Sequence, residues 1–290
     1  MFEMGKKIGI VATSGPMDAD VVLAGEKFFK DRGYDVLIAP SCFERLGYLA
    51  GASDESRALD VMMMFADDEI GAIVCMRGGY GSNRLVPYFE GFDFARYAKP
   101  FIGYSDVTYL HVYFQQRHGL ATYHGPMLKD LLTGNDLTVS SFLDVFMAGQ
   151  SLQLNGVSYF DEEVGATSGI VIGGNLSIVC STLGTPYEID ACGKVLFFEE
   201  VNEEAYAIDR LLVQLVYAGK INDCAGIVLG DFNAPDKAAV HDTIRKILMP
   251  FGKPIAYGIS SGHCVPNLTI PLGVQCVLDS GAGEVRFTKY

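Results

Sequence analysis

Short apolar runs alternate with stretches of helical periodicity along residues 8–119. The apolar runs predict strands at 8–12, 35–39, 72–76 and 100–103. The periodic stretches predict helices at 19–31, at 54–66 with Ser53 as the cap, and from Asp106 to near Gly119. Near-continuous apolar strands that alternate with helices are typical of a parallel sheet covered on both faces. The first part is therefore predicted to be a doubly wound α/β domain, whose ligands bind at the carboxyl ends of the strands.

The pattern changes after Gly134. Residues 135–167 have mixed polarity, apart from a helical patch at 142–147, and we interpret them as a linker. From Ser168 the pattern predicts strands at 194–198 and 225–229, short strands near 255, 269, 277 and 285, and helices at 202–218 and 238–249. These elements indicate a smaller α+β or barrel-like domain. The predicted organisation is 1–134, 135–167 and 168–290.

Composition narrows the function classes. The 290 residues are 49% hydrophobic, a content that disfavours disorder. The net charge is −13, and the sequence contains no basic stripe that would bind nucleic acid or an anionic membrane. The seven cysteines form no CxxC pair, and the N-terminal apolar stretch is too short for a signal peptide, so we expect a cytoplasmic protein. There is no HExxH, and no metal site is expected.

A serine stands at the predicted junction of the fourth strand and its helix. Ser105 follows Gly103-Tyr104, and an amphipathic segment starts at Asp106. A serine at such a turn is either a helix N-cap or an exposed nucleophile, and the next backbone N–H can face an oxyanion. Spacing alone favours the cap.

A glycine-rich loop follows the third predicted strand and reads Arg77-Gly-Gly-Tyr-Gly-Ser-Asn83. It matches neither phosphate-binding fingerprint. The N–H groups of Gly79 and Asp106 could together form an oxyanion hole, or the loop is a plain tight turn. Arg77 is either a carboxylate ligand or a surface charge.

A serine nucleophile requires a base and a group that orients the base. His263 lies in a loop of small residues after a predicted strand, where it is either the base or a structural histidine. Glu199 and Glu200 both follow four apolar residues, and either could be the orienting acid.

The sequence resembles a known family at several motifs that occur in order. They are Arg77-Gly-Gly-Tyr-Gly81, Gly103-Tyr-Ser-Asp106, Gly173-Gly-Asn-Leu176, Leu183-Gly-Thr-Pro-Tyr-Glu188, Phe198-Glu-Glu200, Ile208-Asp-Arg210 and Gly262-His263. Together they resemble the LD-carboxypeptidases of the S66 serine-peptidase family, over residues 8 to about 273.

The resemblance implies a flavodoxin-like N-terminal domain and a smaller C-terminal domain around one site. It implies a cytoplasmic, homodimeric enzyme that uses no metal or cofactor. Such an enzyme removes the terminal D-Ala of murein tetrapeptides by cleaving the amide after an L-centred residue, diaminopimelate or Lys. Carried onto this chain, Ser105 is the nucleophile, His263 is the base and Glu199 orients His263.

The resemblance also places the oxyanion hole at the Gly79 and Asp106 amides, and we expect Arg77 and Tyr80 to contact substrate. One departure is Cys264, which stands where many members have a glycine after the histidine.

Two alternatives remain. One is a microcin-inactivating peptidase of the same family, which cleaves a peptidyl-nucleotide amide. The other is a non-catalytic protein that holds a small ligand between two lobes.

Overall fold

The computed structural model describes residues 2–158 and 164–287. The strands are β1 (Lys7–Val11), β2 (Val36–Ile38), β3 (Arg45–Leu46), β4 (Leu49–Ala50), β5 (Ile70–Cys75), β6 (Phe101–Gly103), β7 (Thr122–His124), β8 (Gln153–Asn155), β9 (Val157–Ser158), β10 (Ala166–Asn175), β11 (Val195–Val201), β12 (Gly226–Asn233), β13 (Ile255–Tyr257), β14 (Ile270–Leu272), β15 (Gln275–Asp279) and β16 (Glu284–Phe287). The α-helices are α1 (Ala19–Lys30), α2 (Asp54–Ala66), α3 (Thr108–His118), α4 (Leu128–Thr133), α5 (Asp136–Ser141), α6 (Leu176–Ser181), α7 (Ala205–Tyr217), α8 (Lys220–Asp223) and α9 (Lys237–Leu248).

The first sheet has the strand order β14-β7-β6-β5-β1-β2, and all of its strands except β14 are parallel. This arrangement confirms the predicted parallel α/β domain. Helix α2 has its predicted bounds, and its cap is the Ser53 hydroxyl, which accepts a hydrogen bond from the Ser56 amide at 3.0 Å. The pattern missed β7, because its three residues Thr122–His124 are too short a run to predict a strand.

The second sheet has the order β8-β16-β15-β10-β11-β12-β13-β9, with parallel β10–β13 at its centre and antiparallel strands on both sides. This mixed sheet, with its packed helices, confirms the predicted second α+β unit. The helix predicted to begin at Asn202 begins instead at Ala205, so that boundary was wrong. Asn202 has φ 59°, and Glu204 is extended at the cap position, so neither residue continues a helix.

The segment predicted as a linker is partly helical. Helix α5 is capped by the Asn135 side chain, which accepts from the Thr138 amide at 3.0 Å, and a π-helix follows at Phe142–Met147. Phe142 and Phe146 are buried in the core of the first sheet. Residues 159–163 of the predicted linker lie outside the described residues. The division at residues 134 and 168 stays a prediction.

Several contacts hold the sheets against each other. Strand β14 follows the β13–β14 loop, which carries His263, and adds to the first sheet, where Ile270 pairs with His124. At another contact, the Thr108 hydroxyl accepts from the Asn175 amide at 2.9 Å. Gly174, at φ 140°, has no room for a Cβ beside the Thr108 side chain, which explains the glycine there. The carboxyl ends of both sets of parallel strands consequently face one shared region.

None of the helices in the described ranges is both long and apolar enough to cross a membrane.

Candidate active site

Ser105 occupies a sharp turn between β6 and α3. It is the first residue of a 3₁₀ turn, Ser105–Val107, and its φ is +62°. The cap position is occupied by extended Tyr104, so the interpretation of Ser105 as an N-cap was wrong. A left-handed backbone at a non-glycine residue costs about 1–3 kcal/mol and is concentrated at functional sites. A strained turn between a strand and a helix is the geometry typical of nucleophile elbows.

The side chain of Asp106 holds this turn in place. It is 3% exposed, and its Oδ2 accepts from the Ser14 hydroxyl at 2.6 Å and from the Ser82 amide at 2.8 Å. The Ser82 hydroxyl donates to the Asp106 carbonyl. Asp106 thus fastens together the loops that follow β1, β5 and β6. From the sequence, a role was predicted only for the Asp106 amide. The signal for the side chain was the presence of an acid directly after the turn.

The glycine-rich loop lies directly against Ser105. A Cβ on Gly78 would be 2.9 Å from the Ser105 Cβ, and Gly79 has φ 129°. Arg77 Nε donates to the Gly78 carbonyl at 3.1 Å and Nη1 donates to the Pro16 carbonyl at 3.2 Å, so Arg77 braces the loop. Tyr80 is 45% exposed and lies with its ring 6.0 Å from that of Tyr48.

We expect Gly78→Ala to lower kcat/KM about a hundredfold, because the added methyl group must displace the Ser105 side chain and small misplacements of reacting groups have effects of this size. Steady-state kinetics would measure the loss, and thermal unfolding would report the stability of the variant. Gly9→Ala, in the neighbouring β1, is the matched control, because its methyl group would meet the flexible Met64 Sδ at 2.9 Å. Full activity of the Gly78 variant would contradict the close packing.

His263 and Glu199 form a hydrogen-bonded pair. Glu199 lies near the carboxyl end of β11 with 0% exposure, and His263 lies in the β13–β14 loop. Glu199 Oε2 accepts from His263 Nδ1 at 2.7 Å and from the His263 amide at 3.1 Å. With Nδ1 engaged, Nε2 is the ring nitrogen left for proton transfer. Gly262, at φ 107°, leaves no room for a Cβ beside the Glu199 carboxylate.

Glu200 points to a different set of partners. Its Oε1 accepts from Asn175 Nδ2 at 2.8 Å and from the Val201 amide at 2.9 Å. Its Oε2 accepts from the Ser177 amide at 2.8 Å and the Ser177 hydroxyl at 2.6 Å. Adjacent residues of a strand face opposite sides, which separates the two acids. Of the two, Glu199 is the acid that contacts His263.

Ser105 and His263 line one cavity of about 260 Å³. The other lining residues are Arg77, Gly78, Gly79, Tyr104, Met127, Lys129 and Asp130. Of the predicted site residues, the structure brings Ser105, Gly79, Arg77 and His263 to this cavity, with Glu199 behind His263. Tyr80 and Asp106 are not among the lining residues. Met127, Lys129 and Asp130 were not predicted as site residues, because they follow strand β7, which the sequence pattern did not indicate.

The charges around His263 favour its protonated form. Burial lowers the pKa of His263, but the hydrogen bond and charge of Glu199, together with the charges of Glu200 and Asp130, outweigh burial and raise the pKa above its ordinary value. Burial also raises the pKa of Asp130. Asp130 Oδ1 accepts from the Tyr104 hydroxyl at 3.1 Å, and the ring of Tyr104 lies 4.9 Å from that of His263.

Cys264 takes no part in this arrangement. Its thiol donates to the Pro266 carbonyl at 3.2 Å, within its own loop. Burial raises the pKa of the thiol to about 11, so the sulfur stays protonated near neutral pH and does not compete as a nucleophile. The departure at Cys264 leaves the contact between His263 and Glu199 in place.

Within residues 2–158 and 164–287, no group of three or more His, Cys, Asp or Glu side chains is placed to hold a metal ion. A larger cleft of about 470 Å³ lies elsewhere, lined by residues that include Gln115, Arg117 and Lys194. It brings together no nucleophile and base. The chemistry of the lining residues, and not the size of the cleft, therefore identifies the candidate site.

Comparisons with known proteins agree with this architecture. Residues 8–125 match the LD-carboxypeptidase N-terminal domain, and residues 168–278 match the LD-carboxypeptidase C-terminal domain. A probable murein peptide carboxypeptidase of Bacillus subtilis is 37% identical over 289 residues, which cover 95% of this chain and 89% of the relative.

Solved structures share the whole fold. A muramoyltetrapeptide carboxypeptidase from Oxalobacter formigenes superposes with a TM-score of 0.85 at 27% identity, covering 96% of this chain and 98% of the other. An MccF-like protein from Bacillus anthracis has a TM-score of 0.85 at 24% identity, covering 99% and 98%, and shows likeness of fold alone. The two domain matches and the close sequence relative establish that this chain belongs to the LD-carboxypeptidase family of serine peptidases, S66.

Proposed function

We propose that the protein is a serine-type LD-carboxypeptidase that removes the terminal D-Ala from murein tetrapeptides. The observation that carries the proposal is the strained Ser105 turn facing the same cavity as His263, whose Nδ1 is held by Glu199 at 2.7 Å. Family membership and the murein peptide relatives support the substrate class.

In the first step, Ser105 Oγ attacks the carbonyl carbon of the scissile amide while His263 Nε2 takes the hydroxyl proton. The Gly79 and Asp106 amides receive the developing oxyanion. The C–N bond then breaks, and His263 delivers its proton to the leaving nitrogen. D-Ala departs, and the rest of the peptide stays bound to Ser105 as an ester. Water attacks the ester, His263 takes the proton of that water, and the proton returns to Ser105 Oγ.

The size and charge of the cavity suit an enzyme that cleaves at a chain end. A cavity of about 260 Å³ is smaller than the roughly 300–1,000 Å³ of ordinary ligand pockets. It therefore suits the terminal residue and the reacting amide better than a whole tetrapeptide. Arg77 and Lys129 line it, and a cation there can pair with the free carboxylate of D-Ala. We also propose a cytoplasmic location and a homodimer, as the family resemblance implies.

Incubation with a purified murein tetrapeptide is expected to release one D-Ala per peptide and leave the tripeptide, because the cleaved bond joins an L-centred residue to D-Ala. Chromatography with chiral amino-acid detection would measure both products. The matched controls are the same tetrapeptide ending in L-Ala and a pentapeptide ending in D-Ala-D-Ala, and neither should be cleaved. A peptidyl-nucleotide amide forms a further arm. Cleavage of that amide alone would favour the microcin-type activity, and cleavage of none would overturn the proposal.

A further inference from the structure

Several buried polar atoms near the proposed catalytic pair have no hydrogen-bond partner among the described residues. Glu199 Oε1 is buried and has no hydrogen-bond partner among the described residues, although Oε2 of the same carboxylate accepts two bonds from His263. Leaving a buried polar atom unpaired destabilises the folded protein, and the penalty is larger for a charged group. Glu199 Oε1 therefore requires a hydrogen-bond donor, and the polar groups nearby indicate what holds that donor in place.

Two such donors lie in neighbouring elements. Asn267 Nδ2 is buried without a partner in the described part of the chain, and Asn267 Oδ1 accepts from the Gly262 amide at 2.9 Å. A Cβ on Gly262 would lie 2.6 Å from the Glu199 Cγ, so Gly262 contacts both Asn267 and Glu199. The second donor is His124, whose two ring nitrogens are both buried and unpaired within the described ranges.

His124 lies close to residues that neighbour Glu199 and His263. Its ring lies 4.9 Å from that of Phe197, which shares a face of β11 with Glu199 because the two residues are two positions apart. It also lies 5.8 Å from the ring of Tyr104, which is itself 4.9 Å from the ring of His263. His124 therefore lies close to both Phe197, which is on the same face of β11 as Glu199, and Tyr104, which is close to His263.

We infer that a buried water donates a hydrogen bond to Glu199 Oε1 and is held by Asn267 Nδ2 and a ring nitrogen of His124. A buried water typically makes about three hydrogen bonds to buried polar groups, and these three groups supply that number. His124 is then a positioning residue: it acts on His263 through the water and Glu199 and touches no reacting atom. Burial holds the pKa of His124 well below its ordinary value, so its ring is neutral and keeps one N–H to donate and one nitrogen to accept.

The inference predicts the direction of a pH effect. A hydrogen bond to Oε1 draws negative charge away from Oε2, where His263 Nδ1 is held. Removing that bond returns charge to Oε2, which stabilises the imidazolium and moves the acid limb of kcat/KM to higher pH. The other titratable or charged groups around His263 stay unchanged in the variant; they are Glu200, Asp130, Arg77, Lys129, Tyr104 and Cys264.

The kinetic test, which rests on the proposed function, uses His124→Phe. This variant keeps a planar ring and removes both nitrogens. We expect kcat/KM to fall about tenfold to a hundredfold, the range found when a group that orients a metal-binding side chain is removed. The acid limb of the kcat/KM profile should move to higher pH. His124→Gln keeps a donor and should recover most of the activity and the original limb. Thr122→Val is the control on the same face of β7. It removes a buried hydroxyl that, like the His124 nitrogens, has no hydrogen-bond partner among the described residues.

An acid limb that stays in place or moves to lower pH in His124→Phe would overturn the inference, as would an equal effect of Thr122→Val. A high-resolution crystal structure of the unsubstituted protein gives a test that requires neither activity nor a folded variant. It should show an ordered water within hydrogen-bond distance of Glu199 Oε1 and of Asn267 or His124. Oε1 bound by a side chain, or by nothing, would overturn the inference. A water present in a protein without D-Ala release would contradict only the proposed function.

Discussion

Ser105→Ala is expected to lower kcat for D-Ala release by about 10⁴-fold to 10⁶-fold, the range that loss of a serine nucleophile produces. The substitution removes only the hydroxyl group, and the backbone at this position keeps its left-handed conformation, with φ 62°. The measurement is single-turnover D-Ala release, together with mass spectrometry for a covalent adduct after treatment with a serine-directed fluorophosphonate. The unsubstituted protein should gain the adduct, and the alanine variant should not.

Ser105→Gly is the matched variant for this experiment. It also lacks the hydroxyl, but glycine adopts positive φ without the steric cost that alanine retains. We therefore expect both variants to be inactive and the glycine variant to have the higher melting temperature. Substantial D-Ala release by either variant would remove Ser105 from the proposed mechanism.

Glu199→Gln is expected to lower kcat by about 10⁴-fold, comparable to the loss of the orienting carboxylate in a serine-histidine-acid triad. The amide carries no charge to stabilise the imidazolium, and its NH₂ group can present a donor to Nδ1 and so favour the wrong tautomer. Without the Glu199 charge, burial is less opposed, and the pKa of His263 should fall. The acid limb of kcat/KM should accordingly move to lower pH, in the opposite direction from His124→Phe.

Glu200→Gln is the natural control for Glu199→Gln, because the two acids are adjacent and both buried. Glu200 accepts from Asn175, Ser177 and Val201, so its substitution should lower the melting temperature while kcat stays within about tenfold of the unsubstituted value. pH–rate profiles and thermal unfolding would separate the two effects. A larger loss of kcat in the Glu200 variant than in the Glu199 variant would reverse the assignment of the orienting acid.

Much of the fold follows from local pattern. Apolar runs and helical periodicity predicted β1, β5, α2 and α9 to within two residues, because a strand buried on both faces and an amphipathic helix each impose their own spacing. Strand β7 was not predicted, because three residues are too few to show an apolar run or an alternation. The predicted start of α7 was three residues too early, because Asn202 adopts a positive φ that the helical pattern did not indicate.

The sequence by itself determined the α/β class, the turn at Ser105, the glycine loop and, through an ordered set of motifs, the family resemblance. The resemblance already favoured Glu199, and the tertiary structure shows that Glu199, and not Glu200, contacts His263. Only the tertiary structure decided that Ser105 takes a strained backbone and does not cap a helix. It also decided that His263 lines the same cavity as Ser105, although the two residues are 158 positions apart in the chain. The physical reason is that β14 carries the His263 loop onto the edge of the first sheet, and a long-range strand pairing of this kind leaves no local pattern in the residues that it brings together.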